Sequence, residues 1–323
     1  MARVVVAHAD EPIGRRVVKT LFHDPDVNVI FALGHGPLPR SFDRFLAGER
    51  PRVTYTRIDL AKHRPVNDLF HSERFRSAKI DTVIYVPRHG VGASATTPLV
   101  GGVSERTAES RLILQHCLET PSIENLVAIS SAFVYRLPPG NANRLDENSE
   151  LDLDPDVTPE IRSWIDCDMI FHGEVHNDRL RVVLLRVPTV VAEGGFVYMN
   201  PSLAGRPGSR LRAMGFDPIC ALVSDKDVAR AILAAVKTPA SGIFNIAGNE
   251  AVPLSTLARW TGRSIIPVPG LLLDTLGAAG PHLRFGFTLD TNRAAADLGF
   301  RAQYRIGLAR AGDGSLRLET ASR

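Results

Sequence analysis

The chain has 323 residues, of which 44% are hydrophobic and 23% charged, and its net charge is +3. This composition is typical of a globular protein and excludes a disordered chain, a collagen-like chain and a disulfide-stapled mini-protein. The small net charge predicts no nucleic-acid partner, and no stretch reaches the roughly 20 apolar residues of a membrane span. Three widely spaced cysteines and the lack of a secretory-leader pattern predict free thiols in a cytoplasmic protein.

Short β-branched runs alternate with helical periodicity over the first 186 residues. Strands are predicted at 4–7, 27–33, 51–58, 80–86, 126–129 and 181–186, and helices at 12–22, 66–75, 106–118 and 159–175. The run at 80–86 is almost wholly apolar, which is typical of a parallel sheet buried on both faces. The alternation predicts an α/β fold with a doubly wound parallel sheet.

The rest of the chain is less regular. Helices are predicted at 225–236, 254–260 and 291–298 and a strand at 242–246, whereas 137–156 and the tail beyond 311 are expected to be a loop and a frayed end. We therefore divide the chain into a sheet domain, 1–186, and a smaller α+β domain, 187–323, with some exchange of chain between them.

The chain contains, in order, Ile-Gly-Arg-Arg-Val-Val at 13–18, Asp59-Leu60, Ile-Ser-Ser-Ala-Phe-Val-Tyr at 129–135, the segments 223–232 and 242–248, and the segment 289–300. In this order these stretches resemble the extended short-chain dehydrogenases/reductases, the NAD-dependent epimerase/dehydratase group. The resemblance implies a Rossmann-like NAD(P)-binding-type domain at 1–186 and a substrate-type domain at 187–323. It also implies a homodimer formed through a pair of helices.

The resemblance implies a G-x-x-G-x-x-G turn that binds the dinucleotide, but His8, Glu11 and Gly14 stand at its three positions. Only the glycine that lets the helix pack on the strand is kept. A Glu11 carboxylate about 4 Å from a phosphate would be repelled by roughly 4 kcal/mol at an effective dielectric of about 20. We therefore expect no cofactor or weak NAD(P) binding, in a vestigial or altered site made of His8, Glu11, Gly14, Asp59, Leu60, Arg88 and His89.

The redox pair of the family is a tyrosine followed four residues later by a lysine, whose charge lowers the pKa of the phenol. Only five of the 38 basic residues are lysines, and there are only five tyrosines. None of the tyrosines has a lysine at position +4, and residues 80–225 contain no lysine. Alignment with the family places Trp164 and Asp168 at the two positions, so only Ser131 of the catalytic triad is present.

Two other constellations offer chemistry. Asp168 and His172 lie one helical turn apart in the predicted helix and, with Ser131, form a candidate acid/base cluster. The glycine- and hydroxyl-rich loop 88–97, which contains Arg88 and His89, is a candidate anion nest. His172 and His176 have the i, i+4 spacing of zinc ligands, but the glutamate between them is displaced from the H-E-x-x-H position, so no metal is predicted.

Two functional hypotheses follow from the loss of both motifs. The first is a non-redox pseudoenzyme with a binding, scaffold or regulatory role, which takes a small molecule or a protein partner in the crevice. The alternative is an enzyme acting on a small molecule, either as an NAD(P)-dependent oxidoreductase or epimerase that binds its cofactor loosely, or through non-redox chemistry at Ser131, Asp168 and His172.

Overall fold

The fold was analysed in a computed structural model that describes residues 1–46, 52–88, 104–137, 144–193, 195–198, 211–260, 265–269, 286–310 and 316–322. In chain order its strands are β1 (Ala2–Ala7), β2 (Val27–Gly34), β3 (Val53–Arg57), β4 (Thr82–Tyr85), β5 (Asn125–Ser131), β6 (Arg144–Leu145), β7 (Arg181–Val187), β8 (Thr189–Ala192), β9 (Gly195–Tyr198), β10 (Leu211–Ala213), β11 (Ile219–Ser224), β12 (Gly242–Asn245), β13 (Ala251–Pro253), β14 (Ile266–Val268), β15 (Thr288–Leu289), β16 (Tyr304–Arg310) and β17 (Leu316–Ser322). The helices are α1 (Pro12–Phe22), α2 (Asp43–Leu46), α3 (His63–His71), α4 (Glu73–Ala78), α5 (Glu105–Glu119), α6 (Pro159–His172), α7 (Asp225–Lys237), α8 (Leu254–Trp260) and α9 (Asn292–Asp297).

Seven strands form the central sheet in the order β3-β2-β1-β4-β5-β7-β12. Every neighbouring pair in this sheet is parallel. The chain order runs outward in both directions from β1, so the reversal of direction lies between β1 and β4. This arrangement confirms the predicted doubly wound α/β sheet.

Helices cover both faces of the sheet. On one face α1 and α7 contribute residues such as Val17 and Val228 to a core cluster. On the other face α3, α4 and α5 contribute Val66, Phe75 and Ile113. Helix α6 contributes side chains to both clusters, and it contacts α5 as well as the strands β5 and β7.

The second half of the chain adds smaller sheets. Strands β13, β11, β8 and β9 form a four-stranded sheet, and β16 and β17 form an antiparallel pair. The seventh strand of the central sheet, β12, also comes from this half, where it pairs with β7. Within the described residues, no helix is long and apolar enough to cross a bilayer.

The structure corrects three sequence predictions. The helix predicted at 66–75 is two helices, because Ser72 is extended and its hydroxyl caps α4 by accepting from the Phe75 amide at 3.2 Å. The tail beyond 311 is not wholly frayed, since β17 pairs with β16 from Tyr304–Ser322 to Arg310–Leu316. Helix α6 ends at His172, so His176 lies beyond the helix and does not share a face with His172.

Candidate functional site

The edge where β1 and β4 end is the expected ligand crevice of this fold. In open parallel sheets, ligands bind outside the carboxyl ends of the strands, at the point where the strand order reverses. His8 follows β1 directly, and Arg88 lies three residues beyond β4. Because β1 and β4 pair in parallel, both residues lie at this edge.

The turn between β1 and α1 has an unusual backbone. His8 has a φ of 52°, a left-handed conformation that non-glycine residues rarely adopt, and its side chain is buried. Gly14 packs directly beneath it, since a Cβ at Gly14 would lie 2.1 Å from the His8 carbonyl oxygen. The turn therefore keeps the close approach of helix and strand while holding a side chain at the first glycine position.

His8 is part of a largely buried ion cluster, which we call the turn cluster: His8, Arg88, Glu105 and Glu109, of which Arg88 and Glu105 are half-buried. The Nε2 atom of His8 lies 3.0 Å from Oε2 of Glu109, and Nη2 of Arg88 donates to Oε1 of Glu109 at 2.9 Å. Arg88 also donates to Glu105. The second ring nitrogen of His8, Nδ1, is buried and has no hydrogen-bond partner among the described residues.

The carboxylates around this turn are perturbed in opposite directions. Burial acts to raise the pKa of Glu109, but the charges and hydrogen bonds of His8 and Arg88 outweigh it and hold that pKa below its ordinary value. The pKa of Glu11 is raised, because its burial and the charge of Asp10 outweigh the attraction of His8, Arg88 and Arg15. The fold thus stabilises the ionised form of Glu109 and destabilises the ionised form of Glu11.

Asp10 fills the space at the end of β2. Its Oδ2 accepts the Gly36 amide at 2.7 Å, and the Tyr55 hydroxyl donates to the Gly36 carbonyl oxygen at 2.7 Å. A Cβ at Gly34 would lie 2.3 Å from the Tyr55 hydroxyl and 2.6 Å from Oδ1 of Asp10. Burial and the nearby Asp10 raise the pKa of Tyr55 to about 12. The carboxylate at the end of β2 is therefore that of Asp10, a residue of the β1–α1 turn.

Asp59 and Leu60, two residues of the expected altered cofactor site, have partners nearby. Oδ1 of Asp59 accepts the Ala61 amide at 3.1 Å, and its Oδ2 lies 3.4 Å from Nζ of Lys62. Leu60 is buried in the core cluster beneath α3 and α5. His89 and the rest of the predicted anion nest, 89–97, lie outside the described residues.

Trp164 is the residue that the sequence resemblance predicts at the position of the catalytic tyrosine. It is 3% exposed, and the Arg106 guanidinium lies 3.9 Å from its ring centroid. Arg106 is buried as well, and its Nη1 donates to the Ser163 hydroxyl at 2.9 Å. The Arg106 guanidinium therefore covers one face of the Trp164 indole.

Asp168, which the same resemblance predicts at the lysine position, belongs to a second buried group, which we call the inner network: Ser130, Tyr135, Asp168, Arg186 and Asn245. Arg186 donates to both oxygens of Asp168, from Nε at 2.9 Å and from Nη2 at 2.8 Å, and the Ser130 hydroxyl donates at 2.6 Å. The Tyr135 ring lies 4.8 Å from the Arg186 guanidinium, and its hydroxyl donates to Asn245 Oδ1 at 2.7 Å. Burial raises the pKa of Tyr135 to about 12.

The three residues proposed as an acid/base cluster have separate surroundings. The Ser131 hydroxyl accepts the Phe133 amide at 3.2 Å, so the neighbouring Ser130 is the serine that contacts Asp168. Nδ1 of His172 lies 3.9 Å from Oδ1 of Asp168, which exceeds hydrogen-bond length. Burial lowers the pKa of His172 more than the charge of Asp168 raises it. Within the described chain, no group of three or more histidines, cysteines or carboxylates has metal-binding geometry.

The site residues predicted from the sequence include Arg88 but neither Glu109 of the turn cluster nor Arg186 of the inner network. Arg186 is the one charged residue inside the apolar run of β7, and Glu109 lies on the inner face of α5. Charged residues are almost never fully buried without a partner, so these two positions already indicated internal ion pairs. Their partners come from distant parts of the sequence, and no local pattern identifies them.

No protein-family model matches the chain. A protein of Mycobacterium tuberculosis strain H37Rv, described as uncharacterized, is 23% identical over 325 residues, covering 93% of this chain and 80% of the mycobacterial one.

Two solved structures are similar over nearly the whole chain. UDP-glucose 4-epimerase from Thermotoga maritima, with UDP-glucose, has a TM-score of 0.67 at 14% identity and covers 94% of both chains. The dTDP-glucose 4,6-dehydratase of Bacillus anthracis, in complex with NAD, has a TM-score of 0.65 at 14% identity and covers 94% of this chain and 92% of its own. The chain therefore has the Rossmann-like fold of the NAD-dependent epimerases and dehydratases, the extended short-chain dehydrogenases/reductases.

Proposed function

We propose that this protein is a non-redox member of this fold class, with a binding, scaffold or regulatory role. The observation that carries the proposal is the burial of Trp164 and Asp168 against Arg106 and Arg186. An indole offers only an N–H donor, and a carboxylate held by a bidentate arginine cannot replace a lysine that lowers the pKa of a phenol. Neither residue supports hydride transfer by the mechanism of the family.

The residues of the turn do not fit a dinucleotide pyrophosphate. Pyrophosphate binding on such a turn needs close approach of bare backbone to the phosphates and amide groups that face them. Here the buried His8 side chain stands at the first glycine position, and Glu11 stands at the second. The Glu11 carboxylate has no hydrogen bond or ion pair with another described residue, whereas the Glu11 amide donates to the His8 carbonyl oxygen at 3.0 Å.

Calorimetric titration with NAD+, NADH, NADP+ and NADPH tests this proposal. We expect no dissociation constant tighter than about 1 mM, which corresponds to about −4 kcal/mol. Micromolar binding of any of the four would contradict the proposal and favour the alternative, an enzyme that uses NAD(P). Mass spectrometry of small molecules that stay bound through purification identifies the occupant of the crevice without a guess at its chemistry.

A further inference from the structure

Three hydrogen-bonding groups from two chain segments converge on the Glu109 carboxylate. His8 and the Tyr85 hydroxyl approach Oε2 at 3.0 and 3.4 Å, and Arg88 approaches Oε1 at 2.9 Å. The Glu109 side chain is only 2% exposed. A guanidinium, an imidazole and a phenol around one planar anion are the groups that proteins use to bind a ligand carboxylate or phosphate.

The position of this arrangement matters as much as its chemistry. His8 and Arg88 stand at the carboxyl ends of β1 and β4, where ligands of open parallel sheets bind. Glu109 reaches them from the second turn of α5. An anion at this edge is therefore supplied by the protein itself.

We propose that the crevice contains an oxyanion subsite built by His8, Arg88 and Tyr85, and that the Glu109 carboxylate occupies it from inside. This inference rests on the proposed function. A crevice that binds a phosphate would need these hydrogen-bonding groups for its ligand, whereas here they contact the Glu109 carboxylate. It makes Glu109 a specificity-determining residue: the wild-type crevice takes ligands that carry no anion at this end. It also explains why the stabilised carboxylate at this edge is Glu109.

The subsite is tested by removing the internal anion and offering an external one. Glu109→Ala deletes a methylene and a carboxylate, which acetate restores almost atom for atom. We expect acetate to bind this variant at least tenfold more tightly than the wild type, measured by thermal shift and calorimetry. Acetamide, which has the same shape without the charge, should give no such gain.

Two control variants separate the subsite from a general charge effect. Glu109→Gln removes the charge but keeps the space filled, so it should gain less than about threefold in acetate affinity. Glu105→Gln removes the second carboxylate that contacts Arg88. The Glu105 side chain is 23% exposed, and its variant should also gain less than about threefold in acetate affinity. In Glu109→Ala/Arg88→Met the tenfold gain should disappear, because the strongest cation of the subsite is gone.

The outcomes decide the proposal in each case. Binding of acetate and inorganic phosphate to Glu109→Ala indicates a general oxyanion subsite, and binding of acetate alone indicates a carboxylate subsite; both support the proposal. Equal effects of acetate and acetamide overturn it. If Glu109→Ala does not fold, refolding in acetate against refolding in acetamide gives the same comparison. The NAD(P) titrations use the wild-type protein, so failure of the proposed function is distinguishable from failure of this inference.

Discussion

The inner network and the turn cluster are both buried groups of charges near the ends of the central strands, yet their balance differs. In the inner network, both oxygens of Asp168 accept from Arg186 and one also accepts from Ser130, while the Tyr135 ring packs on the Arg186 guanidinium and its hydroxyl donates to Asn245. In the turn cluster, Nδ1 of His8 has no hydrogen-bond partner among the described residues, and the neighbouring Glu11 carboxylate is destabilised.

The difference indicates two distinct uses of buried charge. A fully paired network holds strands and helix in register, since breaking it leaves an uncompensated charge in the core. Polar groups that stay unpaired beside a crevice are available to bind a ligand, and leaving them unpaired lowers the stability of the folded protein. The comparison therefore predicts large stability losses in the inner network, and smaller losses or gains around the turn.

The largest effect is expected from Arg186→Met. This change leaves the fully buried Asp168 carboxylate without its cation and should lower the free energy of unfolding by about 3–5 kcal/mol. Chemical denaturation measures it. Arg136→Met is the matched control, because its ion pair with Glu150 spans 3.6 Å between exposed side chains and should contribute less than about 1 kcal/mol. Equal losses in the two variants would remove the distinction between the inner network and ordinary surface charge.

The next effect concerns the backbone of the turn. Gly14→Ala places a methyl group 2.1 Å from the His8 carbonyl oxygen and 2.8 Å from the Ala9 Cα, and both atoms belong to backbone that cannot move easily. We expect a loss of about 2–3 kcal/mol in unfolding free energy. Gly307→Ala, where nothing lies within 4 Å of the added carbon, should change stability by less than about 0.5 kcal/mol. A Gly14 variant as stable as the Gly307 variant would mean that the turn is looser than described.

The smallest effect is a gain, and it depends on pH. The pKa of Glu11 is raised in the folded state by burial and by Asp10, so the folded state holds its proton to higher pH than the unfolded state does. Stability is therefore lost as pH rises from the ordinary glutamate pKa through the raised one. Glu11→Gln should stabilise the protein by less than about 1 kcal/mol at pH 7 and have no effect at pH 3, measured by denaturation at both pH values. A loss of stability at pH 7 would show that the Glu11 charge has a favourable partner.

Much of the fold could be predicted from the sequence because its signals are local. Helices 12–22 and 254–260 were predicted with the bounds that the structure shows, since proline starts and apolar spacing mark them. The split at Ser72 also had a local signal, a serine followed by Glu73 at a helix start, and it was missed. Strand β17 was missed although Leu316, Leu318 and Thr320 alternate with polar residues after an Asp-Gly pair.

The candidate site was less predictable, because its contacts join residues far apart in sequence. The missing glycines and the missing lysine are visible in the sequence, but what replaces them is not. His8 meets Glu109 across 101 positions, and Tyr135 meets Asn245 across 110. The family pattern predicts Ser131 as the site serine, whereas the pleat of β5 directs the neighbouring Ser130 hydroxyl to Asp168.

Strand β12 has a consequence for the order in which this protein can fold during synthesis. The central sheet ends with Gly242–Asn245 beside β7, and α7 covers α1, with Lys237 contacting Asp24 across 213 positions. A nascent chain that has emerged only to β7 exposes an unpaired strand edge and an uncovered apolar face on α1. The sheet of the first 186 residues therefore stays incomplete until some sixty further residues have been synthesised. Release or truncation of the chain in that interval would favour aggregation.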